Sequence, residues 1–412
     1  MNATPQQLKP LRPLDDALGD LLKRARSLTD TEWVSTFEAD GRVLAQDLVS
    51  SLHVPPQDNS AMDGYALRCA DLQCEPWVLP VTQRIAAGSA AEPLLPGSAA
   101  RIFTGAPIPS GADAVVMQED CEALPDGSVQ VKRSPKPSQW IRRAGEDIQR
   151  ASTVLVRGQA LTPAALGLAA SIGMARVAVL RRPRVALFST GDELVMPGDV
   201  APEDMKPGAI YNSNRFFLAA LLRRLGCEVS DYGIVPDRLD ATVRALDEAA
   251  QHHDLILTSG GVSVGEEDHI KPAVQSLGSL DLWQIAIKPG KPFAYGRVHQ
   301  AHFIGLPGNP VSSFVTFLLL VRPFLMKIKG IEVVLPKFTT LPAHFDWPRA
   351  DKRREFLRVR CNAAGGLDLF GNQSSGVLTS ITWADGLVDN PAGQTIARGD
   401  SVRLISFSEV LG

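Results

Sequence analysis

The spacing of apolar positions changes twice along the chain. Between residues 14 and 26, in LDDALGDLLKRAR, apolar residues recur every three or four positions, which predicts an amphipathic helix. From about residue 52, short alternating runs such as AVVMQ and SVQVKR are separated by Gly- and Pro-containing turns. This pattern indicates the strands of a β-rich domain that ends near residue 147. Residues 153–183 then predict a strand, a helix and a linker.

After residue 183 the pattern becomes that of an α/β domain. RVALFST is a continuous β-branched and apolar run, as expected of a strand buried on both faces. Further strands, CEVSDYGIV, DLILTS and HFIGLPG, alternate with amphipathic segments that predict helices. Such alternation favours a mostly parallel, doubly wound sheet with helices on both faces. From residue 337 onward, EFLRVRC and LDLF predict a small terminal β domain.

A chain of 412 residues is too long for one hydrophobic core, so we expect several domains. The predicted fold class is multidomain α/β plus β. The boundaries we expect are residues 1–51 with 148–181 for an elongated α/β linker domain, 52–147 for the β-rich domain, 182–330 for the α/β domain and 331–412 for the C-terminal β domain.

Composition excludes some classes of function. A net charge of −3 gives no global basic field to attract nucleic acid or acidic lipid. Five scattered cysteines form no zinc or redox spacing, which favours reduced thiols. The N-terminus lacks an apolar signal core, and the longest apolar run, Phe314 to Val321, is too short to span a bilayer. We therefore expect a cytoplasmic protein without nucleic-acid or membrane partners.

Two glycine-rich loops follow predicted strands. In TSGGVSVG, the N–H groups of Gly260, Gly261 and Gly265 and the hydroxyls of Ser259 and Ser263 could cradle phosphate oxygens. In an open parallel sheet, ligands bind beyond the carboxyl ends of the strands. This loop directly follows the carboxyl end of a predicted strand. The alternative is an ordinary tight turn between a strand and a helix.

The loop GLPGNPVSS repeats the arrangement with Pro307, Gly308 and Asn309. Asn309 is a candidate N-cap, Pro310 the first helical residue, and the N-terminus of the following helix would favour an anion. A tight turn is again the alternative. Neither loop matches a Walker motif or GxGxxG, so neither identifies a nucleotide.

Carboxylates follow the same strands. Asp192 and Glu193 lie in STGDEL, Asp268 follows the loop TSGGVSVG, and Asp237 follows CEVSDYGIV. Acids beside a phosphate cradle would repel the ligand unless a cation lay between them, and oxygen ligands favour Mg²⁺. The alternative is that the three aspartates cap the next helices.

IKPGKPFAYG places Lys288 and Lys291 around a Pro-Gly turn in an apolar setting. Lysines three residues apart on a turn can converge on one oxyanion. The alternative is two solvated surface lysines.

Further polar candidates lie outside the predicted α/β domain. DNSAMDGYA carries Asp58 and Asp63. The alternative to a functional role is an Asp-Gly turn preceded by an Asx turn, which would account for both acids structurally. Thr104 lies in the glycine turn FTGAP, Asp147 in RRAGEDI and Ser375 in GNQSSG. Each is ordinary by itself.

Taken together, eight motifs resemble the molybdopterin molybdenumtransferase family, the bacterial counterpart of the C-terminal part of gephyrin. In order they are PPQDNSAMDGYALR, RIFTGAPIPSGADAVVMQED, RRAGEDI, STGDEL, GAIYNSNRFFLAALL, LTSGGVSVGEEDHIKP, IAIKPGKPFAYG and GLPGNPVSSFVTFLL. The resemblance runs from about residue 11 to the C-terminus. It implies an elongated four-part homodimer with an α/β domain of the molybdopterin-binding type. It also implies insertion of molybdate into the dithiolene of adenylylated molybdopterin, with Mg²⁺-dependent release of AMP.

The resemblance assigns roles to particular positions. The catalytic set it implies is Asp63, Thr104, Asp147, Glu193, Asp237, Asp268, Lys288 and Lys291. Glu193, Asp237 and Asp268 would bind the metal. The substrate would occupy Ser259, Gly260, Gly261, Ser263, Gly265, Pro307, Gly308, Asn309 and Ser375. Asp58 is the alternative to Asp63 as the essential acid of the first motif.

Two other functions are kept as alternatives. The adenylyltransferase of the preceding step resembles the α/β domain alone, and the N-terminal region with DNSAMDGYA argues against it. That enzyme is instead a possible partner. A gephyrin-like scaffold is disfavoured because no disordered linker or second enzymatic module is present in this sequence.

Overall fold

The computed structural model describes residues 11–236, 238–261 and 269–411. They divide into two compact units, each described separately below. Unit 1 holds residues 11–32, 41–43 and 179–411, apart from the gaps in that description. Unit 2 holds residues 33–40 and 44–178.

Unit 2 is mainly β-structure. After helix α1 (Leu14–Arg24) of unit 1, the elements in chain order are β1 (Thr31–Ser35), β2 (Leu48–Val49), β3 (Asn59–Ser60), β4 (Gly64–Leu67), β5 (Trp77–Ile85), β6 (Ala99–Ile102), β7 (Ala114–Met117), β8 (Cys121–Ala123), β9 (Ser128–Val131), β10 (Ile141–Arg142), β11 (Thr153–Leu155), α2 (Pro163–Ser171) and β12 (Arg176–Leu180). Six of these strands form a sheet in the order β7-β4-β6-β5-β9-β8, in which only β5 and β6 are parallel. The short pairs β3–β10 and β2–β11 are separate ladders.

The remaining elements belong to unit 1. They are β13 (Arg184–Thr190), β14 (Leu194–Val195), β15 (Ile210–Tyr211), α3 (Ser213–Arg224), β16 (Glu228–Val235), α4 (Leu239–His252), β17 (Leu255–Ser259), α5 (Ile270–Leu277), β18 (Gly278–Gln284), β19 (Ile287–Lys288), β20 (Pro292–Val298), β21 (Ala301–Leu306), α6 (Pro310–Thr316), α7 (Arg322–Ile328), β22 (Thr339–Pro342), β23 (Arg354–Cys361), β24 (Leu367–Leu369), α8 (Thr379–Trp383), β25 (Gly386–Asn390), β26 (Ser401–Ser406) and α9 (Phe407–Leu411). A π-helical turn, Phe317–Val321, joins α6 to α7.

The central sheet of unit 1 has the order β16-β13-β17-β21-β20-β18. The first four strands are parallel, and β20 and β18 complete the sheet in antiparallel fashion. Alternate residues of β13 enter two different cores: Val185 and Leu187 pack with α1, α3, α6 and α7, and Ala186 and Phe188 pack with α4 and α5. Burial of both faces explains the uninterrupted apolar run and confirms the doubly wound, mostly parallel fold predicted from it.

The helix that runs from Pro310 to Ile328 is 19 residues long and apolar enough, by length and composition, to cross a bilayer. Within the protein, however, 83% of its most apolar window is buried. It packs against β17, β21 and α1 in the larger core, as the internal helix of a folded domain does.

A second sheet of unit 1 has the order β19-β23-β25-β26-β22, with β24 paired to β23. Its core includes Phe345, Leu357, Val388 and Leu404. The two-residue strand β19 comes from the α/β part of the chain and pairs in parallel with β23, which sets Lys288 opposite Glu355. The C-terminal β-structure predicted from the sequence is therefore present.

Inside unit 1, His302 on β21 is 7% exposed, and its Nδ1 lies 2.8 Å from the hydroxyl of Tyr295. Burial lowers the pKa of His302 to about 4. An unfolded histidine titrates near 6.5, so between pH 6.5 and pH 4 the unfolded chain binds a proton that the folded chain does not. The free energy of unfolding therefore has its full value above pH 6.5 and falls by at most about 3 kcal/mol as the pH falls toward 4.

We therefore expect His302→Asn to weaken the pH dependence of stability. Asparagine keeps a polar group near the position of Nδ1 but does not titrate, so the variant should lose less stability than wild type between pH 7.5 and 5. Urea unfolding at both pH values measures this difference. His252→Asn, at an exposed position, is the matched control. Equal losses in wild type and the His302 variant would contradict the expectation.

Candidate functional site

A polar cleft of about 580 Å³ lies at the carboxyl edge of the central sheet. Strands β13, β17 and β21 are parallel and in register there, with Ser259 paired to Ser189 on one side and to Leu306 on the other. Their loops therefore leave the sheet side by side. Of the predicted site residues, the cleft brings together Glu193, Ser259, Gly260, Pro307, Gly308 and Asn309. The other predicted residues lie elsewhere or outside the described residues.

The side chain of Asn214 holds two of these loops together. Its amide nitrogen donates to the hydroxyl of Ser259 at 2.8 Å and to the carbonyl of Gly308 at 2.7 Å. Asn214 is 8% exposed, so both hydrogen bonds are shielded from water. An amide group supplies two N–H donors in one plane, which suits it to bridge two acceptors. The ends of β17 and β21 are thereby tied to the first turn of α3.

Glu193 is placed in the cleft by the turn after β13. Its carboxylate lies over Gly191, which has φ +137°, and a Cβ at that glycine would come within 2.4 Å of Glu193 Oε2. Within the described part of the chain, no hydrogen bond or ion pair engages this carboxylate. Of the described residues that line the cleft, it is the sole acid, and none of the others is Lys or Arg.

The first glycine of TSGG is required by the turn itself. Gly260 has φ +92°, and a Cβ there would come within 2.7 Å of the carbonyl oxygen of Thr190. A side chain is excluded by the neighbouring strand as well as by the backbone conformation. This packing accounts for the glycine whether or not a ligand binds. Gly261 adjoins it, and Ser263, Gly265 and Asp268 lie outside the described residues.

The helix that follows GLPGNP begins as predicted, with Asn309 at the N-cap position and Pro310 in the first turn. However, the Asn309 side chain makes no capping hydrogen bond and lies exposed in the cleft. The N–H of Val311 donates instead to the carbonyl of Ser375, at 3.0 Å. Ser375 thus lies beside the cleft, whose lining includes the next residue, Gly376.

The two lysines of KPGKP have different surroundings. The ammonium of Lys288 donates to Glu355 at 3.0 Å and lies 3.2 Å from Asp351. Burial acts to lower the pKa of Lys288, but the two carboxylates raise it overall. Lys291 is exposed, and Pro292, the next residue, lines the cleft. Of these two lysines, Lys291 is the one that is exposed to solvent without a carboxylate partner among the described residues.

The carboxylates that hold Lys288 are themselves fixed. Glu355 is 1% exposed and also accepts from the indole N–H of Trp347 at 2.7 Å. Asp351 pairs with Arg353, which, together with Lys288, holds the pKa of the Asp351 carboxyl well below its usual range. These contacts keep Lys288 charged and in place.

In unit 2, the structure brings Asp63 and Thr104 together. One carboxylate oxygen of Asp63 accepts from the backbone N–H of Thr104 at 2.7 Å and from its hydroxyl at 2.8 Å. These bonds lower the pKa of Asp63. The acid therefore remains ionised in the neutral range, with its second oxygen available.

The neighbouring acids of unit 2 differ in their contacts. Asp58 pairs with Arg143 and accepts from the N–H of Ala144 at 2.9 Å, and these groups lower its pKa, the backbone N–H most. Both its oxygens are thus engaged. Asp147 is exposed, and its backbone N–H donates to Val54. No partner holds its carboxylate among the residues described.

Of the three residues expected to bind the metal, one is among the described residues. Glu193 lies in the cleft, but Asp237 and Asp268 lie outside the described residues. Among the residues that are described, no three His, Cys, Asp or Glu side chains group as a metal site would require.

Sequence reasoning missed part of the cleft wall. Tyr211, Asn212 and Asn214 line it, although IYNSN was interpreted only as the start of a helix. Asn212 is the N-cap of α3, and its side-chain oxygen accepts from the N–H of Arg215 at 3.3 Å. The detectable signal was a second asparagine, Asn214, on the buried face of the first helical turn.

The fold and the cleft define an α/β protein with a polar ligand site beyond the carboxyl ends of its parallel strands. Models of known families match most of the chain: the MoeA N-terminal region (domain I and II) over residues 12–173, a probable molybdopterin binding domain over 186–327 and the MoeA C-terminal region (domain IV) over 340–407.

Individual relatives agree over nearly the full length. The molybdopterin molybdenumtransferase of Haemophilus influenzae is 40% identical over 408 residues, which cover 97% of this chain and 99% of that protein. The enzyme of the same name from Nostoc sp. is 35% identical over 98% of this chain and 96% of its own length. The crystal structure of the MoeA protein of molybdopterin biosynthesis from Pyrococcus horikoshii OT3 has a TM-score of 0.83 at 30% identity, over 97% and 100% of the two chains. The chain belongs to the molybdopterin molybdenumtransferase family and is a transferase of molybdenum cofactor biosynthesis.

We expect Asn214→Ala to destabilise unit 1 by about 1–3 kcal/mol, because the carbonyl of Gly308 and the hydroxyl of Ser259 both lose a buried donor. Urea unfolding measures this change. Asn309→Ala removes the same amide from a residue that is exposed in the cleft and makes no cap bond, and should change stability by less than about 0.5 kcal/mol. If both variants unfold like wild type, Asn214 does not hold the loops together.

Proposed function

We propose that this protein inserts molybdate into the dithiolene of adenylylated molybdopterin, with Mg²⁺-dependent release of AMP. The observation that carries the proposal is the cleft at the carboxyl edge of β13, β17 and β21. The described lining combines backbone and hydroxyl groups with one carboxylate. The chain also matches nearly the full length of relatives named molybdopterin molybdenumtransferase.

The charge of the cleft supports a metal-assisted reaction. The substrate of the proposed reaction brings phosphate groups. The described residues that line the cleft include one acid, Glu193, and no Lys or Arg. Backbone N–H groups and hydroxyls alone would leave that charge poorly compensated beside a carboxylate. A divalent cation held by Glu193 would offset this charge. Mg²⁺ commonly binds through one or two carboxylates together with substrate phosphates, so the donor set fits it.

When bound, Mg²⁺ would supply Lewis-acid polarisation of the phosphoanhydride that is cleaved. The chain's own part is to position the substrate. Ser259, Gly308 and Asn309 present donors and acceptors at the loop ends, and Asn214 keeps those loops at a fixed separation. We propose that Asp237 and Asp268 complete the metal ligands. No cysteine lines the cleft, and none is required, because the reacting sulfur atoms belong to the dithiolene.

We propose that Lys291 and Ser375 hold molybdate. Lys291 is exposed next to the cleft residue Pro292, and Ser375 lies next to Gly376 on the cleft wall. A dianion there would be met by a free ammonium group. Lys288 would act as the second cation while remaining bonded to Glu355 and Asp351.

We further propose that Asp63, Thr104 and Asp147 contribute to activity, that the protein forms a homodimer and that it works in the cytoplasm. Asp63 is ionised and has one carboxylate oxygen without a partner among the described residues, whereas both oxygens of Asp58 are engaged. This difference supports Asp63 as the essential acid.

Sedimentation equilibrium would test the dimer. Co-purification would test whether the upstream adenylyltransferase is a partner.

The direct test of function is to mix purified protein with adenylylated molybdopterin, molybdate and Mg²⁺. AMP should appear together with the molybdenum-loaded product. In a separate mixture of the protein with molybdopterin, ATP and Mg²⁺, formation of adenylylated molybdopterin with release of pyrophosphate would indicate the adenylyltransferase instead. Absence of either reaction would favour a scaffold.

Gly191→Ala should raise the Mg²⁺ concentration needed for half-maximal AMP release and lower the rate about tenfold or more, because the new Cβ displaces the Glu193 carboxylate. Gly198→Ala is the matched control: Gly198 also has a positive φ (+96°), but a Cβ there meets nothing within 4 Å. Equal effects of the two substitutions would show that the position of Glu193 is not what matters.

Lys291→Ala should raise the molybdate concentration needed for half-maximal rate, since the exposed ammonium is lost, and should leave the affinity for AMP within about twofold of wild type. Steady-state kinetics and AMP titration measure the two effects. Lys271→Ala, at another partly exposed lysine of unit 1, serves as the comparison. If Lys291→Ala weakens molybdate and AMP equally, the oxyanion role is wrong.

A further inference from the structure

A second, apolar groove of about 480 Å³ adjoins the polar cleft. The two share Tyr211 and Ser213 as a common wall. The rest of the groove is formed by Phe216, Phe217 and Phe314 on one side and by Pro197, Leu378, Ile381 and Thr382 on the other. A ligand that fills the cleft can therefore extend into the groove without leaving the protein surface.

Two packed aromatic rings line the groove, and a third aromatic ring beside them is exposed. Phe217 and Phe314 pack edge to face with ring centroids 5.8 Å apart. Phe216, one residue earlier on α3, is 54% exposed. A large aromatic side chain left in water beside a ligand cleft is a surface available for stacking.

The groove offers few hydrogen-bonding groups to a ligand. The hydroxyl of Tyr211 donates to the carbonyl of Val200 at 2.7 Å, and that of Thr382 donates to Thr379 at 3.0 Å. Ser213 supplies the remaining hydroxyl of the wall. A heterocycle in this groove would thus bind through stacking and apolar contacts with the faces of its ring. The polar atoms on the edge of the ring would have to remain exposed to water.

We propose that the groove binds the adenine ring of the nucleotide, with Phe216 stacked on one face. The proposal rests on the proposed function, in which AMP is a product. Of the two ring systems in that substrate, the pterin carries donors and acceptors along most of its edge and suits an apolar groove poorly. A purine can stack while its polar edge remains solvated. The phosphate would lie in the polar cleft, and the ribose would pass the Tyr211–Ser213 wall.

Two consequences distinguish this subsite from one that recognises a particular base. The ring should contribute affinity, because base–aromatic stacking is worth on the order of tenfold in binding. The identity of the base should matter little, because no group of the groove reads its edge. Inosine 5′-monophosphate should accordingly bind within about threefold of AMP, and ribose 5-phosphate about tenfold more weakly.

The experiment measures the affinities of AMP, inosine 5′-monophosphate and ribose 5-phosphate for the full-length protein by calorimetry with Mg²⁺. Phe216→Ala should weaken AMP about tenfold and leave ribose 5-phosphate unchanged, whereas Phe216→Trp should retain the preference for AMP. Phe37→Ala, at a 95% exposed phenylalanine of unit 2, is the control and should behave as wild type.

Several results would overturn the proposal. One is an equal loss of AMP and ribose 5-phosphate affinity in Phe216→Ala, and another is no change in either. A change of oligomeric mass in Phe216→Ala would assign the groove to a contact between copies of the chain. If wild type releases AMP from its substrate but does not prefer AMP to ribose 5-phosphate, the subsite is wrong and the function stands. If the preference depends on Phe216 but no transfer occurs, the subsite stands and the function fails.

Discussion

The parallel pairing of β13, β17 and β21 is the constraint on which the candidate site depends. Parallel neighbours in register end at the same edge, so residues far apart in sequence, such as Glu193 and Gly308, line one cleft. Pairing alone does not determine the distance between the loops. That distance is held by Asn214, whose amide bonds the end of one strand and the loop after the next. Sheet topology brings the loops together, and one buried side chain keeps them in place.

The distribution of charge explains why no lysine or arginine is among the described residues that line the cleft. Cations are kept out of the cleft wall, and Lys288 is held by two carboxylates of the C-terminal sheet. The pairing of β19 with β23 creates that contact, since it sets Lys288 opposite Glu355. A cleft built in this way favours a ligand that brings its own metal ion.

Much of the fold could be predicted from local pattern. The spacing of apolar residues in a helix and the apolar run of a buried strand are both properties of consecutive residues. The buried strand β13, a helix at the position of α3 and the helix after GLPGNP were all predicted. The antiparallel strands β18 and β20 were not. The alternation in β18 was a usable strand signal that was not used, and β20 directly follows the turn KPGKP. The place of both strands at the sheet edge depends on distant partners.

By itself, the sequence determined the doubly wound α/β domain, the positions of the loops and the resemblance to a transferase family, since these depend on residue order and spacing. Tertiary structure alone decided the rest. It gave Lys288 two carboxylate partners and left Lys291 exposed, although the two lysines are three residues apart on one turn. It left the Asn309 side chain in the cleft without a cap bond. It also placed Phe216 on the rim of a groove that α8 completes. Each of these outcomes depends on contacts between segments far apart along the chain, which no local pattern encodes.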